Sequence, residues 1–132
     1  ELGDLIAVAC TLNEPNLPFL LRELGIAGEP PEARKHVPVW AGAASALGIE
    51  AARVAPFQFT ASEAGYRVKL DAHRAGTAAI KAVRPDLRVG WTLANSDIQA
   101  GADGEAAAAR VRREVNLRFL EDSRGDDFVG IQ

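Results

Sequence analysis

Apolar and polar residues along the chain divide it into three short apolar runs and two long stretches of helical period. The first run, Leu5 to Cys10, has the length of one buried strand and leads into Thr11-Leu12-Asn13-Glu14. Pro15 cannot continue a central ladder, so Asn13 and Glu14 are predicted to lie where the strand ends and a loop begins. The end of a helix is expected just before this strand, from Leu2. Pro18 to Leu24 reads as a short helix, with Pro18 in its first turn and Gly25 as its stop. From Ala27 to Phe59 the pattern is irregular. Pro30, Pro31, Pro38 and Pro56 exclude one continuous helix, and only Gly42 to Ile49 is expected to be helical.

Thr60-Ala61-Ser62-Glu63 reads as a capping box that opens a long helix. Along it Tyr66, Leu70, His73, Thr77, Ile80 and Arg84 recur at spacings of three and four, until Arg84-Pro85 ends the period. Leu87 to Ala94 is a second strand, closed by the turn formers Asn95-Ser96-Asp97. Gly104 to Asp122 is a second long helix. Asp103 is its expected cap, Val111, Val115 and Phe119 its apolar face, and Glu114 with Arg118 a supporting pair. Ser123 to Asp126 turns the chain into a third strand, Asp127 to Gln132.

Strands alternating with helices predict an α/β fold with a parallel sheet and right-handed crossovers. Ligands of such sheets bind at the carboxyl ends of the strands, where Asn13 and Glu14 set an amide beside a carboxylate. Position alone also fits a solvated loop carboxylate and a turn-forming amide.

Composition narrows the function classes. The chain has 132 residues, 48% of them hydrophobic, and a formal charge of −3, which is one domain's worth of chain. No apolar run approaches the ~18 residues of a membrane span. Interspersed charges argue against nucleic acid as a partner. Cys10 is the single cysteine, so no internal disulfide forms, and a reducing, cytoplasmic setting is the expectation. His36 and His73 are far apart and have no metal-ligand spacing, and no metal or other cofactor is expected. Neither glycine-rich nucleotide fingerprint is present. His36 reads as a solvated loop residue and His73 as a hydrogen-bonded helix or core residue. Trp40 either anchors its loop or offers an exposed ring for stacking. Trp91 packs against a helix or fills the interior of a barrel.

Thr11-Leu12-Asn13-Glu14-Pro15 resembles the Thr-x-Asn-Glu-Pro signature of the family 1 glycoside hydrolases, the β-glucosidase-like retaining enzymes. Other segments resemble the same family in order. Ala72-His73-Arg74-Ala75 is similar to its Ala-His-x-Ala pattern, and Val89-Gly90 through Asn95 to its fifth barrel strand. Arg118-Phe119-Leu120-Glu121-Asp122 is similar to Arg-Trp-Phe-Leu-Asp-Pro without the proline. Asp127 to Gln132 is similar to the sixth strand, with Gln132 in place of the usual Asn. The tryptophan usual two positions before the motif's threonine is Ala9 here, which implies altered packing rather than altered chemistry.

The resemblance implies part of a TIM (β/α)8 barrel, strands four to six with their helices. A complete barrel needs ~250 residues. Residues 1–132 are therefore read as a single piece of a larger enzyme, an expectation also drawn from the abrupt start at Glu1 and the apolar end. The implied activity is hydrolysis of β-glycosidic bonds by retaining double displacement, in which two carboxyl groups stand about 5–5.5 Å apart. Glu14 takes the general acid/base role and Asn13 contacts the sugar at its 2-hydroxyl. Asn95 is a further candidate for substrate contact, or else a strand-end cap. Thr11 and His73 are supporting residues. The nucleophile of the family sits in a Glu-Asn-Gly-like segment, which this chain lacks. The isolated chain is thus expected to be inactive, and its partners to be a β-glucoside or related small saccharide and the remaining barrel segments. Three strands leave two unpaired edges, so Val89, Trp91 and Val129 need cover from neighbouring segments, the rest of the barrel or a second copy. The alternatives are a non-catalytic barrel scaffold and a carbohydrate-binding module using Trp40 and Trp91.

Overall fold

The computed structural model describes residues 3–26 and 31–132. Three strands, β1 (Val8–Asn13), β2 (Arg88–Leu93) and β3 (Phe128–Ile131), form a parallel sheet in the order β1-β2-β3. Each strand pairs with the next in sequence, and helices make the connections between them. Helix α1 (Leu17–Glu23) follows β1 at once, then α2 (Pro38–Leu47) and the long α3 (Glu63–Val83), which leads into β2. After β2 come α4 (Glu105–Arg112), a π turn (Arg113–Leu117) and α5 (Arg118–Asp122), then β3. This is a three-stranded α/β piece with open edges, not a closed barrel.

The helices cover one face of the sheet. Trp91 and Leu93 of β2 meet Phe19 of α1, Val115 of the π turn and Phe119 of α5 in the main core. Val89 and Trp91 are fully buried, because the helices supply the cover that the sequence left open. His73 of α3 stacks on Trp91 with centroids 4.2 Å apart, and Phe119 lies 5.9 Å from the same ring. Val129 keeps 37% of its surface exposed. On the other face the strands approach closely. A Cβ on Gly90 would stand 2.0 Å from the Phe128 carbonyl oxygen, so only glycine fits there.

Several local expectations need correction. The cap of α3 is Ser62, whose Oγ accepts from Gly65 N at 3.1 Å. Thr60 instead donates to the Pro56 carbonyl at 2.7 Å. Asp103 takes a left-handed φ of 59°, and Gly104 is the N-cap of α4, without a side-chain cap. Glu114 pairs with Arg22 and Arg110 rather than Arg118, and Arg118 reaches Glu63 at 3.3 Å. The helical piece of the irregular region spans Pro38–Leu47, longer than the predicted Gly42 to Ile49, with 3-10 turns at Pro31–His36, Ala51–Arg53 and Phe57–Phe59. The start of that region, 27–30, lies outside the described residues. Ahead of β1 the helical end is one 3-10 turn, Gly3–Leu5. Among the described residues no helix is long and apolar enough to cross a membrane.

Candidate functional site

The carboxyl end of the sheet gathers a row of polar groups. The pairing of β1 with β2 slips between Cys10 and Asn13, where two β1 residues oppose one β2 residue. Thr11 and Leu12 fill that bulge on the helix side: Thr11 bonds His73, and Leu12 packs on the core. Asn13 is thereby returned to the opposite face, level with Thr92. Its Oδ1 accepts from Thr92 Oγ1 at 2.8 Å and from Gln132 Nε2 at 3.0 Å. One amide oxygen thus ties together the ends of all three strands. The Asn13 NH2 group has no partner among the described residues and remains a donor.

Glu14 follows with φ 48°, a left-handed conformation that non-glycine residues seldom adopt. Its N–H donates to Thr92 O at 2.8 Å, and its carbonyl accepts from Leu17 N at 3.1 Å. Pro15 and Asn16 next to it are buried. The Glu14 side chain is half-buried, and its carboxylate makes no hydrogen bond among the described residues. The backbone is therefore fixed while the acid group stays available.

Asn16 supplies much of that fixing and was not singled out from the sequence. It is fully buried, and its Nδ2 donates to Ala94 O at 2.6 Å and Val115 O at 2.9 Å. Its Oδ1 accepts from Ala94 N at 3.0 Å. The π turn falls where this side chain reaches the helix, as expected when a side chain inserts into a helical ladder. The partners lie 78 and 99 residues away in sequence, so no local pattern signals them.

Beneath this end, Thr11, His73 and Asp126 form a chain of hydrogen bonds. Thr11 Oγ1 lies 2.6 Å from His73 Nδ1, and His73 Nε2 lies 3.0 Å from Asp126 Oδ1. With Asp126 ionised, Nε2 carries the proton it donates, and Nδ1 accepts from the Thr11 hydroxyl. This chain joins β1, α3 and the turn before β3. The role of Asp126 was also missed, since nothing near it in sequence points to a histidine 53 residues away.

The remaining candidates are placed as follows. Asn95 is exposed and uses its backbone N–H on Gln132 O at 2.9 Å, continuing the β2–β3 ladder past the strand end. Trp40, on α2, packs on Phe59 of the 3-10 turn Phe57–Phe59 with centroids 5.5 Å apart. Trp91 is inside the core and donates from Nε1 to Ser123 Oγ at 2.6 Å, so it offers no face to a sugar. His36 is exposed. Among the described residues no group of three or more His, Cys, Asp or Glu could hold a metal ion.

Comparison with solved structures gives an informative match. The crystal structure of the β-glycosidase BGL167 shares 71% identity with this chain and superposes on it with a TM-score of 0.95. The match covers 99% of this chain and 31% of that one. No family model and no curated protein matches. The chain spans about a third of the length of that solved relative and is homologous to that part of a β-glycosidase.

Proposed function

We propose that the polypeptide bearing this chain is a retaining β-glycosidase of the family 1 type, with Glu14 as general acid/base. The observation that carries the reading is the placement of Asn13 and Glu14. They stand at the carboxyl edge of a parallel sheet, with the backbone held by Thr92 and Leu17 and the carboxylate unpartnered. The sequence identity to a β-glycosidase supports it. In this reading Glu14 donates a proton to the glycosidic oxygen as the bond to the leaving group breaks. It then takes a proton from the water that cleaves the glycosyl-enzyme. The attacking carboxylate comes from outside residues 1–132, about 5–5.5 Å across the sugar ring. The free NH2 of Asn13 donates to the sugar's 2-hydroxyl, a contact that tightens in the transition state. Further strands of the same polypeptide pair with the open edges of β1 and β3, and the substrate is a β-glucoside or related small saccharide.

The test is the pair of wild type and Glu14→Gln in the full-length polypeptide. Two aryl β-glucosides are compared, one with a basic phenolate leaving group and one with a dinitrophenolate. General acid catalysis contributes about 10²–10⁴-fold. The variant should lose a factor of that order in kcat/KM on the first substrate and far less on the second, whose leaving group needs no proton. Equal losses on both substrates would remove Glu14 from the acid role. An unchanged rate on both would remove it from the site.

A further inference from the structure

Gln132 makes a contact that the proposed chemistry does not use. Its backbone is fixed just past the end of β3: its N–H donates to Leu93 O at 2.9 Å, and its carbonyl accepts from Asn95 N at 2.9 Å. The side chain therefore leaves from a set point. It passes over β2, the central strand, and donates from Nε2 to Asn13 Oδ1 at 3.0 Å. Thr92, on β2 between them, donates from Oγ1 to the same oxygen at 2.8 Å. Gly130 is level with Thr92 on β3, and a Cβ there would stand 2.6 Å from Thr92 Cγ2. The bare glycine thus gives the threonine methyl its place on the β3 side, and the hydroxyl faces β1. An amide oxygen has two acceptor sites, and on Asn13 both are taken. What Asn13 can still offer is its NH2 group, which has no partner among the described residues.

We propose that Gln132 is a positioning residue for the sugar's 2-hydroxyl, acting through Asn13, and this rests on the reading of Asn13 as the contact to that hydroxyl. A side-chain amide has two orientations of nearly equal shape, one presenting NH2 and the other C=O. Two donors aimed at one point favour the orientation with the oxygen inward and the NH2 group outward. Gln132 exerts this effect without touching the sugar. With the amide fixed before substrate arrives, the ordering cost is not charged against the transition state. The contact to the 2-hydroxyl tightens in the transition state. Loss of the hold should therefore slow substrates that carry the hydroxyl and spare those that lack it.

The experiment uses an aryl β-glucoside and its 2-deoxy analogue with the same leaving group. The full-length polypeptide is compared as wild type, Gln132→Met, Asn13→Ala and the double variant. Methionine keeps the length of glutamine and removes its donor. The quantity read is the ratio of the two kcat/KM values, glucoside over 2-deoxyglucoside. Gln132→Met should lower it by roughly three- to tenfold, the worth of one ordinary hydrogen bond, while the 2-deoxy analogue holds its rate. Asn13→Ala should lower the ratio at least as far, and adding Gln132→Met to it should change the ratio no further. If Asn13→Ala lowers the ratio and Gln132→Met does not, the role of Gln132 is overturned and the reading of Asn13 stands. Equal losses on both substrates in Gln132→Met would also overturn it, because a purely structural role slows both alike. A further fall in the double variant would show that Gln132 acts by some route other than Asn13. An unchanged ratio in Asn13→Ala would remove the 2-hydroxyl contact and the role of Gln132 with it.

Discussion

Asn16 is where the geometry makes its sharpest demand. Replacing it by alanine removes three hydrogen bonds and leaves Ala94 N, Ala94 O and Val115 O without their side-chain partner in a fully buried place. Each buried group so stranded costs about 1–3 kcal/mol. The three share one site, so their costs do not add in full, and water entering the space recovers part. A loss of about 3–5 kcal/mol is expected, large for any single substitution. Asn16→Asp separates hydrogen bonding from shape. Its first oxygen still accepts from Ala94 N, but its second faces two carbonyl oxygens and needs a proton to bond them. The folded state thus favours the protonated acid and holds its pKa above the unfolded value of about 3.9. The aspartate variant should lie nearest to wild type below about pH 4, and the gap should widen as pH rises beyond that. Urea unfolding of wild type and both variants of the full-length polypeptide, at pH 4 and pH 7, reads these differences. An alanine variant within 1 kcal/mol of wild type, or an aspartate gap equal at both pH values, would refute the assignment of Asn16 as the anchor of this turn.

Two glycines give a contrast that tests the sheet. Gly90→Ala puts a Cβ 2.0 Å from the Phe128 backbone oxygen and should cost about 3 kcal/mol or more, seen as a fall in melting temperature or loss of soluble protein. Gly42→Ala, in the interior of α2 with open space around it, should stabilise by about 0.5–1 kcal/mol in the same assay. Lys69 gives a pH signature. Its folded pKa of about 8 lies below the unfolded value near 10.4, so the unfolded chain binds more protons between those limits. This residue's contribution to stability should rise with pH across that window, and Lys69→Met should remove that rise in urea midpoints measured from pH 7 to 10.5.

The strands were legible because each apolar run is bounded by residues with a mechanical effect: Pro15 after β1, Asn95-Ser96-Asp97 after β2, Gly125 before β3. Helix α3 was legible from its period, and Arg84-Pro85 marks its end. Its start was not. Thr60 and Ser62 are both good caps, and the choice turned on Thr60 being occupied by Pro56 through its hydroxyl and by Lys69 through its carbonyl. The Glu114–Arg118 pairing failed for a similar reason. Arg118 lies over the Tyr66 ring at 4.0 Å and the Phe19 ring at 4.3 Å, and Arg22 from α1 takes Glu114. The π turn had no compositional trace, because the asparagine that reaches it comes from the far end of the chain. Local pattern thus identified the elements, and distant polar contacts decided how they terminate. Of the candidate residues, Asn13 and Glu14 were marked by their motif, while Asn16 and Asp126 act through partners that no spacing reveals.

The conformation of Glu14 connects these contacts to chemistry. A left-handed φ on a residue with a Cβ costs of order 1–3 kcal/mol, and glycine would occupy the position without that cost. The strain is held from both sides. Asn13 Oδ1 bonds Thr92 and Gln132 before it, and Asn16 locks the chain to β2 and the π turn after it. Between them Thr92 O and Leu17 N take the Glu14 backbone groups, so the residue cannot relax by turning its peptide planes. Among the described residues, this rigidity leaves the Glu14 carboxylate and the Asn13 NH2 group unbound. A turn needed only to join β1 to α1 would gain by relaxing at this position. A carboxylate that must meet a glycosidic oxygen within a fraction of an ångström gains from being unable to relax. On the proposed reading of Glu14 as acid/base, the anchoring asparagines bear on catalysis as well as on stability.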